Sequence, residues 1–167
     1  DNNTGATDPS APRDDDRPLA VSSPSVSEAS PYAVFTVSGA ANQLSTLALA
    51  AGTTNPASAD GGDYGLAATG SDLQVWNGSG WVDYTAGSTV ALNANGKLLV
   101  RAAIVNDSVA DNNETFKLSA TNTGGTAALG TATIKDDGTG TVYRADNGQP
   151  DPAAQKDNDA PRVTGTR

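Results

Sequence analysis

The chain has 167 residues, enough for one ordinary domain with tails, and it contains no Cys and no His. It therefore lacks the residues of a Cys/His zinc site, a Ser-His-Asp triad and a cysteine nucleophile. Its 19 acidic and 10 basic residues give a net charge of −9, which argues against binding to DNA or RNA. No apolar run approaches the roughly 20 residues that cross a bilayer, so we expect no membrane insertion.

The two ends of the chain repeat each other at an offset of 143 residues, from Gly5 on Gly148 to Pro18 on Pro161. Seven of these 14 aligned positions are identical, and the repeated sequence is rich in Asp, Pro and Ala. A fixed internal period is typical of tandem arrays. We therefore predict one unit of an array, with a domain at residues 18–143 between linkers at 1–17 and 144–167.

Between the linkers, apolar and polar residues alternate in short segments, which is the period of β-strands. The clearest segments are 33–37, 47–49, 73–75, 82–84, 98–104, 116–120 and 129–134. Turn residues separate them, and no stretch shows a helical period of 3.6 residues. The pattern predicts an all-β fold, either an antiparallel sandwich or a barrel.

The segment from Trp76 to Trp81 predicts a hairpin, because its Asn77-Gly78 pair supplies the positive φ values of a tight turn. Two interpretations of the flanking tryptophans are open. They form a cross-strand pair that covers the sheet edge and fixes the register. Alternatively, Trp76, Trp81 and Tyr84 form an aromatic surface that binds surface glycans or a receptor.

Carboxylates are concentrated in several loops between the predicted strands. The richest loop carries Asp107, Asp111 and Glu114, and unscreened carboxylates so close together repel one another. The other acidic positions are Glu28, Asp60, Asp63, Asp136 and Asp137. Each Asp alone fits a turn-capping role, but several such loops together favour a metal. Calcium is the natural cation for clustered oxygen ligands, although the spacing excludes an EF-hand.

A family resemblance covers residues 19–138. Its frame consists of Ser27-Glu28, Gly62-Asp63-Tyr64, Ile104 to Asp107, Glu114-Thr115-Phe116 and Ile134 to Asp137. This frame resembles the Calx-β module of sodium–calcium exchangers and of long tandem surface proteins and RTX-type adhesins in bacteria. The resemblance implies a seven-to-eight-stranded antiparallel, immunoglobulin-like sandwich, here with extended acidic linkers at both ends.

The resemblance also implies a calcium site at one end of the sandwich. Its candidate ligands are Glu28, Asp63, Asp107, Asp111, Glu114, Asp136 and Asp137. Where the strongest calcium binders of the family carry acidic triplets, this chain has Asn106-Asp107-Ser108 and Lys135-Asp136-Asp137. Fewer charges imply weaker binding, which suits millimolar extracellular calcium better than cytosolic sensing.

The junctions offer a second place for calcium. Asp14 and Asp16 precede Pro18, and Asp157 and Asp159 precede Pro161 in the same way. These oxygens could hold Ca²⁺ between neighbouring units, and proline would stiffen the chain there. A solvated acidic spacer is the alternative for the outer parts of the linkers.

Together these features predict a structural role. We expect an extender repeat of a large secreted adhesin or matrix fibre on the bacterial cell surface, made rigid by calcium. Its partners would be neighbouring repeats of the same chain, or copies of itself arranged head to tail. The alternative is a carbohydrate- or receptor-binding module. We expect no enzyme, because the carboxylates fall in loop ends and spacers, with no acid placed in an apolar pocket.

Overall fold

A computed structural model describes residues 17–57, 63–65, 73–106 and 112–158. Within these residues the chain forms ten β-strands and no helix, which confirms the all-β prediction. The strands are β1 (Ala20–Val21), β2 (Ser25–Ser27), β3 (Tyr32–Ser38), β4 (Leu44–Ala51), β5 (Gln74–Trp76), β6 (Trp81–Asp83), β7 (Thr89–Ala91), β8 (Lys97–Ala103), β9 (Glu114–Asn122) and β10 (Ala127–Lys135).

The strands form two five-stranded sheets. Sheet I has the order β1-β3-β8-β5-β6, and sheet II has the order β2-β10-β9-β4-β7. All pairs are antiparallel except β2 with β10, which is parallel. The ten strands of the described residues exceed the expected seven to eight because five of them have only two or three residues, too few to show a period. The immunoglobulin-like type stays a prediction.

Alternating burial explains how the two sheets pack. In β3, Ala33, Phe35 and Val37 are fully buried, and in β9, Phe116 and Leu118 are as well. The Phe35 and Phe116 rings meet edge to face between the sheets, with centroids 5.8 Å apart. Both sheets contribute to one hydrophobic core, so the architecture is sandwich-like.

The two ends of β9 define two ends of the sandwich. We call the end near Glu114 the carboxylate end and the end near Asn122 the amide end. The carbonyl of Arg17 accepts hydrogen bonds from Gln43 Nε2 (2.8 Å) and Asn122 Nδ2 (3.1 Å), so the residue before the first strand region lies at the amide end. Asn158, the last described residue, pairs with Asp137 at the carboxylate end. Nine extended residues separate these ends by about 27 Å.

The segment after β10 folds back along the sandwich. Thr141 forms a parallel bridge with Val26 of β2, and Tyr143 pairs with Pro150. The turn that follows is closed by a bond from the Gly148 amide to the Arg144 carbonyl (2.9 Å). Residues 144–158, which the composition assigns to a linker, thus hydrogen-bond to each other and to the sandwich. The predicted domain bounds themselves stay predictions.

Candidate metal site

Two buried carboxylates lie side by side where β2 and β10 end. Val26 pairs with Ile134, and both side chains are buried in the core. Two residues further along, the same face of each strand presents Glu28 and Asp136, which are only 2% and 1% exposed. The Glu28 amide donates to the Lys135 carbonyl (2.8 Å), so the strand pairing continues to this point. The parallel pairing of β2 with β10 thus places the two carboxylates beside each other, both turned inward.

Glu114 adds a third carboxylate to the same face of sheet II. It pairs with Ile134 of β10 and alternates in phase with the buried Phe116. Its side chain is half-buried, as befits the first residue of β9. Three adjacent strands thus direct a carboxylate toward the space between the sheets at this end.

Asp63 approaches this end from the side of sheet I. Its carbonyl accepts a hydrogen bond from the Val105 amide (2.9 Å), just beyond the end of β8. The neighbouring Tyr64 bridges to Ile104 and stacks on the Phe116 ring with centroids 4.1 Å apart. Because Tyr64 is anchored in the core, Asp63 is held in place and only 8% exposed.

Asp137 accepts hydrogen bonds at both of its carboxylate oxygens. Its Oδ1 accepts from the Thr139 hydroxyl and amide, and its Oδ2 accepts from Asn112 Nδ2 (2.9 Å). Lys135 Nζ lies 3.6 Å from Oδ2. The Thr139 hydroxyl, with smaller contributions from Asn112 and Lys135, lowers the pKa of Asp137 to about 2. Asp137 is therefore anionic across the physiological pH range.

Asn112 is a positioning residue that the sequence analysis did not identify, because it lies among acidic residues in the same loop. Its Oδ1 accepts from the Asp136 amide (3.0 Å) while its Nδ2 holds Asp137. One amide side chain thus fixes two successive candidate ligands. The only sequence signal is its place among the acidic residues of the loop before β9.

The predicted junction ligand Asp157 lies at the same end. Its amide donates to Ser27 Oγ (3.1 Å), and its carbonyl accepts from the Gly138 amide (2.7 Å). The structure therefore brings the junction residue Asp157 beside the loop that carries Asp136 and Asp137. Candidate ligands Asp107, Asp111, Asp14, Asp16 and Asp159 lie outside the described residues.

Within the described ranges, no three acidic side chains are grouped closely enough to hold a metal ion. With Asp107 and Asp111 outside those ranges, the predicted set of ligands is incomplete there. Calcium binding thus stays a prediction. What the structure does show is that Glu28, Asp63 and Asp136 are buried, and burying anionic carboxylates is costly unless they are paired or bound to a cation.

The aromatic residues of the alternative site are already engaged in packing. Trp76 and Trp81 face each other across the β5–β6 hairpin, with ring centroids 5.3 Å apart. The Arg101 guanidinium lies 4.3 Å from the Trp81 ring. Tyr84 is 5% exposed, and its hydroxyl accepts from the Leu47 amide (2.9 Å). Glycan binding by these residues stays a prediction.

The hairpin loop differs in detail from the expected tight turn. Trp76 and Trp81 are paired, so four residues form the loop. Gly78 has the positive φ, whereas Asn77 acts through its side chain, whose Oδ1 accepts from the Ser79 and Gly80 amides. Asn at this position closes the loop by hydrogen bonding.

Comparisons with protein-family models, with curated proteins and with solved structures found no match to this chain. The resemblance to the Calx-β module therefore stands on its quoted residues alone. Among the described residues, none forms a helix that is long and apolar enough to cross a membrane.

Proposed function

We propose that this chain is a structural extender repeat of a large secreted bacterial surface adhesin or matrix fibre. The observation that carries the proposal is that Arg17, before the first strand, lies at one end of the sandwich, whereas Asn158, after the last strand, lies at the other end, about 27 Å away. Units connected in this way add their full length to an array. The repeat at an offset of 143 residues supplies the sequence for such an array.

Calcium is the second part of the proposal. At the carboxylate end, Glu28, Asp63 and Asp136 are buried, and Asp137 is held anionic. With Asp107, Asp111 and Glu114 they would form a Calx-β-like site in an immunoglobulin-like sandwich. A bound calcium ion would cancel the repulsion among these charges and stabilise the fold by RT ln(1 + [Ca]/Kd). Asp157 would link that site to the junction.

The alternative, carbohydrate or receptor binding through Trp76, Trp81 and Tyr84, has less support. Tyr84 is buried, and the Arg101 guanidinium lies over the Trp81 ring. A sugar-stacking platform needs an open aromatic face.

Calorimetric titration of the full chain with calcium tests the proposal. We expect millimolar affinity and a higher melting temperature at about 5 mM calcium than in EDTA, since ligand that binds only the folded state stabilises it. Asp136→Asn should abolish most of both effects. Asp146→Asn is the control, because Asp146 is exposed in the turn at 144–149. An identical melting temperature with EDTA and with calcium would contradict the calcium role.

A further inference from the structure

The inference concerns the segment of residues 139–158, which we call the strap. Its first part extends sheet II: the Ser27 amide donates to the Thr141 carbonyl (2.8 Å), and the Thr141 amide donates to the Ser25 carbonyl (2.9 Å). The Tyr143 amide then donates to Ser30 Oγ (3.0 Å). The strap thus covers β2, which would otherwise be an open sheet edge.

The middle of the strap is held on the outer face of sheet I. The Arg101 guanidinium lies 3.7 Å from the Tyr32 ring centroid and 4.3 Å from that of Trp81. It donates to Gln74 Oε1 (2.8 Å) and to the Ala145 carbonyl (2.6 Å). Arginine suits this position because its planar fork stacks and donates at the same time.

Gly148 makes the closest approach of the strap to this face. Its φ is +71°, and a Cβ there would lie 2.6 Å from Cζ2 of Trp81. Any other residue would push the turn away from the sheet. The end of the strap returns to the carboxylate end, where Asp157 contacts Ser27 and Gly138, and Asn158 pairs with Asp137.

The strap is the part of the chain that the N-terminus repeats. Gly148, Asp151, Ala154 and Asp157 all make these contacts or the strap's own turns. The aligned N-terminal residues have the same identities: Gly5, Asp8, Ala11 and Asp14. The strap of this chain already occupies the docking surface on its own sandwich. Residues 5–16, which repeat part of the strap sequence, would therefore need the equivalent surface of another unit.

The same alignment limits the distance between consecutive units. Ala160 aligns with Arg17, whose carbonyl is fixed at the amide end of the sandwich. Asn158 is fixed at the carboxylate end. If Ala160 takes the place of Arg17 in a following unit, only one residue separates two anchored positions, and two extended residue steps span about 7 Å.

We infer that residues 5–16 are the strap of a preceding unit and dock on that unit's equivalent of the Tyr32–Trp81–Arg101 face. This inference depends on the tandem array of the proposed function. Consecutive units then meet end to end after one free residue. The carboxylate end of one unit faces the amide end of the next, where exposed Asn42 and Asn95 supply neutral donors for acidic acceptors. The partner surface is therefore a second unit of this kind.

Trypsin cleavage of the full single chain tests the docking. Arg13 aligns with Lys156, and an Asp follows each of them, so the two cleavage sites are matched in sequence. In a protein prepared as residues 1–167, residues 5–16 have no second unit to dock on, so we expect mass spectrometry to show cleavage after Arg13 about tenfold faster than after Lys156. Arg101→Lys should accelerate cleavage after Lys156 and leave Arg13 unchanged. Equal rates at the two sites in the original chain would overturn the inference.

A two-unit chain tests the end-to-end contact. It consists of residues 1–158 followed directly by residues 16–158, with Ser79→Cys in both units. Because the chain has no native Cys, spin labels attach only at those two exposed positions. In EDTA, we expect pulsed electron paramagnetic resonance to give one narrow distance distribution. Six Gly/Ser residues inserted after Asn158 should broaden it.

Gly148→Ala in the first unit should broaden the distribution as well, and Gly125→Ala is its control. Gly125 also has a positive φ, of +93°, but a Cβ there meets nothing within 4 Å. A distribution as broad without the insertion as with it would overturn the end-to-end contact. Because this measurement uses EDTA, it is independent of calcium. A narrow distribution together with an unchanged melting temperature in calcium would support the contact and contradict only the calcium role.

Discussion

Both ends of the sandwich bury polar side chains, but the chemistry of those side chains differs. At the amide end, Gln43 is 1% exposed and neutral: its Oε1 accepts from the Ala40 amide (2.9 Å), and its Nε2 donates to the Arg17 carbonyl. Asn122 likewise accepts from the Thr126 amide and donates to Arg17. An amide can do both, so this end is satisfied within the chain.

The carboxylate end buries acidic side chains. Glu28 and Asp136 are as buried as Gln43, but a carboxylate, unlike an amide, cannot both donate and accept. Burying such groups is costly unless they are paired or bound to a cation. The comparison teaches that the same depth of burial is occupied by neutral amides at one end and by acidic side chains at the other, and under the proposed function only the second end responds to a cation. The following changes test that difference.

The largest effect is expected at the amide end, from Gly96→Ala. Gly96 has a φ of +73°, and a Cβ there would lie 2.2 Å from the Gly39 carbonyl oxygen, which is backbone and cannot move aside. We expect a loss of about 3 kcal/mol or more in the free energy of unfolding. Urea denaturation measures it, and the loss should be the same with and without calcium.

The matched control is Gly87→Ala. Gly87 has a similar φ of +82°, but a Cβ there meets nothing within 4 Å. Only the conformational cost of about 1 kcal/mol should appear. Equal losses for the two variants would contradict the idea that the close contact of Gly96 with Gly39 stabilises the amide end.

An intermediate effect is expected at the carboxylate end, from Glu28→Gln. Millimolar calcium should raise the free energy of unfolding of the original chain by about 1 kcal/mol more than that of the variant, because the variant has lost a ligand. Urea denaturation in EDTA and in calcium measures both values. An equal gain from calcium in the two proteins would contradict a role for Glu28 in binding a cation.

The long strands and the core could be predicted from the sequence, because alternation over seven or more residues is a strong signal. Phe116, Leu118 and Ala120 show it most clearly, and all three are fully buried. The inward direction of Glu28 could not be predicted, because β2 has three residues and pairs in parallel with β10. Its register comes from contacts distant in sequence.

The strap was the least predictable part of the described chain. Its sequence is rich in Asp, Pro and Gly, which is typical of solvated linkers. Its order comes from tertiary contacts, above all from Arg101 between two aromatic rings. An arginine in the middle of β8, on the opposite face from Val100 and Ala102, was the available signal. The repeat at the N-terminus marked the segment without revealing what it binds.

The smallest effect concerns pH, through Asp137. Its pKa is lowered from 3.8 to about 2, chiefly by the hydrogen bond from Thr139. A carboxyl group whose pKa is lower in the folded state stabilises the fold above its unfolded pKa. That contribution is lost as pH falls from about 4 to about 2. Since Asp137 is near the surface, the change should be well under that of Glu28→Gln.

Acid titration of stability in EDTA should show a shallower decline for Asp137→Asn than for the original chain. Asp146→Asn should follow the original curve. Parallel curves for all three proteins would mean that the Thr139 and Asn112 bonds do not stabilise the anion, and that this end responds to cations without responding to protons through Asp137.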